Sequence, residues 1–379
     1  MKAGPRKTRE MILGVRKSRP ARGLSNCSRC QLQSRGWNDE ARRSLQRVLS
    51  RGAGRRLPVV FDFDNTIISG DVGEAVLAVL AAEGRLRPNT VNQTLCPSVQ
   101  VPGKGEVRVM DRSDIMEYYE ALLNPTVHGK ADSTPLANGY VWATQVLENL
   151  SVAEVLTATA KAFEIGQRNG STQIEVTPGQ RTYPAPRFYP EMVELIAELL
   201  RLEYDPWIVS ASNVWSVRWM VVHGLNPLLA RCGISKGLRA DRVVGLATLL
   251  ADSEGCLLKD SVLVREDQDY AALQSRRVAS LFVTRHLQFP APVYSGKVAC
   301  IVDALGCNPY LCAGDSLSDH PMMSLSRHRL WIARRDKPEA QRATRALIRR
   351  TGKSGWILQA CSGAGQASFL SSPCTAQLR

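Results

Sequence analysis

The chain has 379 residues, 44% of them hydrophobic, enough for a real core in one large or two ordinary domains. Its formal charge of +14 is unevenly placed: residues 1–56 hold 16 Lys/Arg against three acids, residues 327–353 hold ten against two, and the body between is acidic. The overall charge is therefore no evidence for a polyanion-binding body, and with no apolar run of about 18 residues a membrane-spanning helix is excluded.

Residues 1–36 are rich in Arg, Lys, Ser and Gly, with little periodicity, and are expected to be a basic, disordered arm. No aromatics interleave its charges, so it reads as a solvated tail or a mis-set start rather than a nucleic-acid arm. Met11–Val15 is too short for the apolar region of a secretory signal, and a cytoplasmic location is expected. Cys27 and Cys30 lack the second pair that a structural zinc site needs. Asn38 is a cap for a short helix over Asp39–Leu49.

Residues 37–75 begin an α/β core with the stretch PVVFDFDNTIISG, Pro58 to Gly70. Residues 76–187 read as a helical cap inserted into that core: a Pro/Gly/Asn-rich connection over 84–110 is followed by three helical patterns, with Ser151 a cap for the last. The core resumes over 188–352. A helix over Pro190–Leu202 precedes a buried strand, Pro206–Ser210, and a helix over Asn213–His223. Further strands are expected at Arg242–Leu246, Cys256–Val264, Pro309–Ala313 and Arg329–Ile332, and helices at Gly296–Leu305 and Lys337–Arg349. Residues 353–379 read as a loose tail. Strands alternating with helices predict a doubly wound, mostly parallel, Rossmann-like sheet carrying the inserted cap.

Asp62 and Asp64 lie two apart at the end of an apolar run, on one face if the strand continues. Such a pair repels unless a cation lies between the carboxylates or one keeps a proton. Taken alone it is either a metal-sharing nucleophile and acid/base or a solvated Asp-Asn turn. Ser210 and Asp315 each follow another apolar run, Asp319 lies four residues beyond Asp315, and Lys297 opens the preceding helix. Three strand ends of this kind would bring Asp62, Asp64, Ser210 and Asp315 to one edge of the sheet.

In order and spacing, DFDNT, Ser210, Lys297 and GDSLSD (314–319) resemble the four motifs of the haloacid dehalogenase superfamily of phosphatases, over about residues 57–335. The cap between the first two motifs resembles the phosphoserine phosphatase and phosphorylcholine phosphatase branch. The resemblance implies Mg²⁺-dependent hydrolysis of a small-molecule phosphomonoester through an aspartyl-phosphate. Asp62 would be the nucleophile and Asp64 the acid/base. Mg²⁺ would be held by Asp62, the Asp64 carbonyl and Asp315, with Asp319 supporting its water shell. Ser210 and Lys297 would hold phosphate oxygens, and Thr66 would orient the phosphate loop. Ser318 departs from the Asn common at that place in phosphoserine phosphatases.

Asp71 stands where the phosphoserine phosphatase motif carries a Glu facing the substrate's ammonium, and is alternatively a helix N-cap. Glu74 reads as a first-turn helix acid. Trp142, Trp215 and Trp219 either form a cation–π box for choline or pack in the core. His320 reads as a helix-start residue, since Asp64 fills the base role. Two rival functions stay open: a phosphotransferase passing the phosphoryl group to an alcohol, and a non-catalytic binding protein using the basic arm.

Overall fold

A computed structural model describes residues 30–123, 139–168, 172–264, 276–363 and 367–372. Residues 1–29 of the expected arm, Cys27 among them, lie outside the described residues. Six parallel strands form the central sheet: β1 (Pro58–Phe61), β2 (Asp205–Asn213), β3 (Val243–Leu246), β4 (Leu311–Gly314), β5 (His328–Arg334) and β6 (Trp356–Cys361). Their spatial order is β6-β5-β4-β1-β2-β3. The chain runs outward from β1 through β2 and β3, then returns to the other side of β1 and runs outward through β4, β5 and β6. The direction reverses between β1 and β4, and a crevice opens beyond their carboxyl ends. This is the doubly wound α/β fold expected from the strand–helix alternation.

The strands are apolar because helices cover both faces. Val59, Val60 and Phe61 of β1 are all fully buried. The helix Asp39–Gly52 is capped by Asn38, whose side chain accepts from the Ala41 N–H, and it packs beside β6. The expected loose tail is corrected here: WILQAC forms the edge strand β6, paired with β5 over six residues. Gln359 explains much of its fixed position. Its side chain is fully buried, accepts from the Asn38 N–H at 3.0 Å and donates to the carbonyls of Gly36 and Leu370 at 3.1 Å each.

Between β1 and β2 the helices Val72–Ala82, Ile115–Leu123, Gly139–Gln145 and Val152–Gln167 appear, the last closed by a capping box between Ser151 and Glu154. The segment is not purely helical. It contains two β-hairpins, Val99–Val101 with Gly105–Val107 and Gln173–Thr177 with Arg181–Pro184. Each turn contains a Pro-Gly pair, and Gly103 and Gly179 have φ of 78° and 67°, values that favour glycine.

A second insertion follows β3. The strands Thr248–Ala251, Leu257–Leu258 and Phe282–Leu287 make a small antiparallel sheet. The strand expected over Cys256–Val264 is therefore corrected to a two-residue strand followed by a helical turn, Asp260–Leu263. In that turn Asp260 accepts from the buried Arg218 guanidinium at 2.6 Å. Backbone hydrogen bonds join the two insertions: Asn149 N–H to Val283 O, Val283 N–H to Leu150 O and Val152 N–H to Leu281 O, at 2.8–2.9 Å. Among the described residues no helix is long and apolar enough to cross a membrane.

Replacing Gln359 with Leu leaves the Asn38 N–H and the Gly36 carbonyl buried without this partner, at a cost of about 3 kcal/mol. Urea denaturation should show that loss; wild-type stability would contradict the role assigned to Gln359.

Candidate active site

β1 delivers Asp62 to the crevice. Its N–H still donates to Ala313 O at 2.9 Å, as a continuing ladder requires. The chain then turns sharply, with Phe63 O accepting from the N–H groups of Thr66, Ile67 and Ile68. Asn65 takes φ 55° and Gly70 φ 91°, and they close the loop with Asn65 N–H to Gly70 O at 3.0 Å and Gly70 N–H to Asn65 Oδ1 at 3.3 Å. The following helix begins at Val72, with Asp71 as its N-cap.

The Lys297 ammonium is 1% exposed and bridges Asp62 Oδ1 at 2.7 Å and Asp319 Oδ1 at 2.6 Å. Thr66 Oγ1 donates to the other Asp62 oxygen at 3.1 Å. Asp319 Oδ2 accepts from the N–H groups of Asp315 and Ser316 and from the Ser316 hydroxyl. Gly314 permits this turn, because a Cβ there would lie 2.6 Å from the Asp319 Cβ.

Asp64 sits in different company. Its Oδ1 accepts from the Val72 N–H at 2.7 Å; its Oδ2 accepts from Ser212 Oγ at 2.7 Å and Ser210 Oγ at 3.1 Å. Ser212 also reaches Asp71 at 3.4 Å. Asp62, Asp64, Thr66, Asp71, Ser210, Lys297, Asp315 and Asp319 thus gather at one edge of the sheet, with Ser210 and Thr66 placed on the two carboxylates. Asp71 is both an N-cap, accepting from the Glu74 N–H at 2.9 Å, and a wall of a small cleft lined also by Tyr119, Tyr140, Ser212 and Asn213.

Burial, followed by repulsion from Asp319, pushes Asp62 up to about 7, against the pull of Lys297. Burial, then Asp71 and Asp62, hold Asp64 well above the usual carboxylate range. Burial opposes the charge on Lys297, yet Asp319 and Asp62 keep it above its ordinary value. Burial, Asp71 and Glu120 push Glu74 up to about 8.

Asp62, Asp315 and Asp319 each offer a carboxylate oxygen, all within 4.8 Å of one another. An all-oxygen set of this kind suits a hard divalent cation. Asp319 already uses both oxygens on Lys297 and on backbone donors, whereas among the described residues Asp315 has a side-chain contact on Oδ2 only, from Arg334. Asp62 also uses both oxygens, on Lys297 and Thr66, so the set fits a cation reached first through Asp315, with Asp62 and Asp319 beside it.

No protein-family model matches the chain. A phosphorylcholine phosphatase of Pseudomonas aeruginosa is 24% identical over 294 residues, covering 74% of each protein. The chain is thus similar in sequence to a phosphatase, and its four motifs resemble those of the haloacid dehalogenase superfamily of phosphatases. The structure of a conserved, functionally unknown protein from Anaerococcus prevotii shares this fold, with TM-score 0.59 and 18% identity over 92% of this chain and 98% of its own. A substrate-bound phosphoserine phosphatase aligns at 11% identity over 73% of this chain and 86% of its own, with TM-score 0.32.

The three tryptophans do not form a box. Trp142 packs on Tyr118 and Tyr119, Trp215 is fully buried, and Trp219 packs on Phe163 and His223. His320 is a packed residue, with Nε2 2.8 Å from Thr344 Oγ1 and its ring on Trp331. Sequence reasoning missed Ser212, Tyr119, Tyr140 and Arg334 and set Glu74 aside. Ser212 lies two residues from Ser210 on a strand, a signal that was present; Arg334 ends a strand in the same apolar-then-polar pattern as Asp62 and Asp315.

A raised carboxyl holds in the folded state a proton that the unfolded chain has already released. Its stabilising contribution is full below the ordinary carboxylate range and is lost as pH rises through about 7 for Asp62. With a chelator present, the melting temperature should fall between about pH 4 and about pH 7, and Asp62→Asn should shrink that fall. A melting temperature that climbs across this interval would contradict the assignment.

Proposed function

We propose that the protein hydrolyses a small phosphomonoester with a cationic leaving group, in a Mg²⁺-dependent reaction. Asp62 attacks phosphorus and forms an aspartyl-phosphate as the bond to the leaving oxygen breaks, and Asp64 gives that oxygen its proton. Asp64 then takes a proton from the water that attacks the aspartyl-phosphate, releasing inorganic phosphate and restoring the Asp62 carboxylate. A Mg²⁺ held by Asp62, Asp315 and the Asp64 carbonyl supplies charge neutralisation between an anionic nucleophile and an anionic phosphate. Lys297 and Ser210 serve the phosphate oxygens, and Thr66 holds Asp62 in its attacking orientation.

The observation that carries this reading is the unequal treatment of two carboxylates two residues apart. Asp62 shares the charge of Lys297, whereas Asp64 faces Asp71 and is held by hydroxyls and one N–H. Environments that separate two carboxyls in this way suit one as nucleophile and the other as a proton donor.

Asp71 and Glu74 lie on the leaving-group side. Tyr119 and Tyr140 stand close enough to Asp71 that its charge raises both phenols, after burial. Two carboxylates beside two aromatic rings suit an ammonium or quaternary ammonium group. The curated relative is named for phosphorylcholine, a substrate of that class.

A Mg²⁺-dependent screen of phosphocholine, phosphoserine and an uncharged phosphomonoester tests the reading, with Asp62→Asn as control. Turnover should drop by about a thousandfold or more in the variant. Activity that survives the substitution would overturn the mechanism. Phosphocholine should be preferred over the uncharged ester by about tenfold or more in kcat/KM, and Glu74→Gln should erode that preference. Because Glu74 gains its charge on passing about pH 8, the preference should grow as pH rises from 7 to 9. Equal rates on all three esters would sink the cationic leaving group.

A further inference from the structure

Asp62, Asp315 and Asp319 lie together, Asp64 is repelled by Asp62 and Asp71, and Glu74 by Asp71, while Lys297 contacts two of these carboxylates. A second cation stands beside them. Arg334 closes β5 with its side chain 10% exposed, and its Nη1 donates to Asp315 Oδ2 at 3.3 Å. Its Nε and Nη2 grip both oxygens of Asp336, at 3.1 and 2.6 Å. Asp336 is packed in turn against Gly363, where φ is 69° and a Cβ would collide with the carboxylate. A line of contacts therefore runs from the backbone beyond β6 through Asp336 and Arg334 to Asp315. The Arg334 charge also reaches Asp71 and Glu74, where it opposes the upward push of burial.

We propose that Arg334 is a positioning residue for the cation site. By occupying Asp315 Oδ2 it fixes that carboxylate and leaves the other oxygen for a divalent cation, while Asp336 keeps the guanidinium from swinging away. The proposal rests on the reading of Asp315 as a metal ligand. Positioning and plain charge make opposite demands. Removing a positive charge from beside an anionic site should tighten Mg²⁺ binding by Coulomb attraction. Releasing a ligand from its hydrogen-bonded support should weaken it, typically tenfold to a hundredfold.

Isothermal titration of the full chain with MgCl₂ separates the two. Arg334→Met should weaken Mg²⁺ binding by about tenfold or more, and so should Arg334→Lys, which keeps the charge but loses the planar fork. Affinity equal to or tighter than wild type in Arg334→Met would overturn the proposal. If that variant fails to fold, Asp336→Asn loosens the guanidinium without touching the cleft: weaker binding supports the proposal and unchanged binding overturns it. Asp315→Asn should abolish binding; wild-type affinity there would overturn the cation site itself, whatever the Arg334 variants do.

Discussion

The bridge from Lys297 to Asp62 and Asp319 is the constraint on which the rest of the site depends. All three side chains are almost wholly withdrawn from water. A carboxylate buried without a partner costs several kcal/mol, and breaking a buried pair by deleting one member costs about 3–5 kcal/mol. The helix Gly296–Leu305 must therefore begin where Lys297 can reach both Asp62 and Asp319. Asp319 must curl back to receive the ammonium, which the turn after Gly314 and its backbone N–H groups permit. Once Asp62 and Asp319 are fixed, Asp315 falls beside them at the point where the strand order reverses.

The same geometry separates the chemistry of neighbouring residues. Asp62 ends a sheet strand and meets a cation. Asp64, two residues on, has left the sheet and meets the start of the Val72 helix and two serines of β2. The inserted segment then adds Tyr119 and Tyr140 to the cleft wall formed by Asp71, so the proposed leaving-group side joins acids from the start of the core to rings from the cap. Hydrogen bonds from the second insertion to residues 149–152 tie the cap to an element that leaves the core after β3.

The polar edge was legible in the sequence because most of its stations follow a buried apolar run, and a buried strand that ends in a polar residue has few places to put it other than the crevice. Ser210 and Asp315 could be found that way. Arg334 obeys the same rule, but ending the strand at Ile332 hid it. The two cap hairpins left a signal in their Pro-Gly turns, read as connection because the flanking runs are short. WILQAC was lost in a Ser/Gly-rich neighbourhood, and its place depends on Gln359 meeting Asn38, 321 residues away in sequence. Tyr119 and Tyr140 had no local signal at all: an aromatic on an amphipathic helix reads as core until the docking of that helix is known.

Acid-quenched turnover followed by peptide mass spectrometry tests the central claim most directly. The account predicts a Mg²⁺-dependent, hydroxylamine-labile phosphoryl group on Asp62 during hydrolysis of a good substrate, absent in Asp62→Asn. A phosphoryl group on Asp64, or full turnover with none on Asp62 at any quench time, would contradict it.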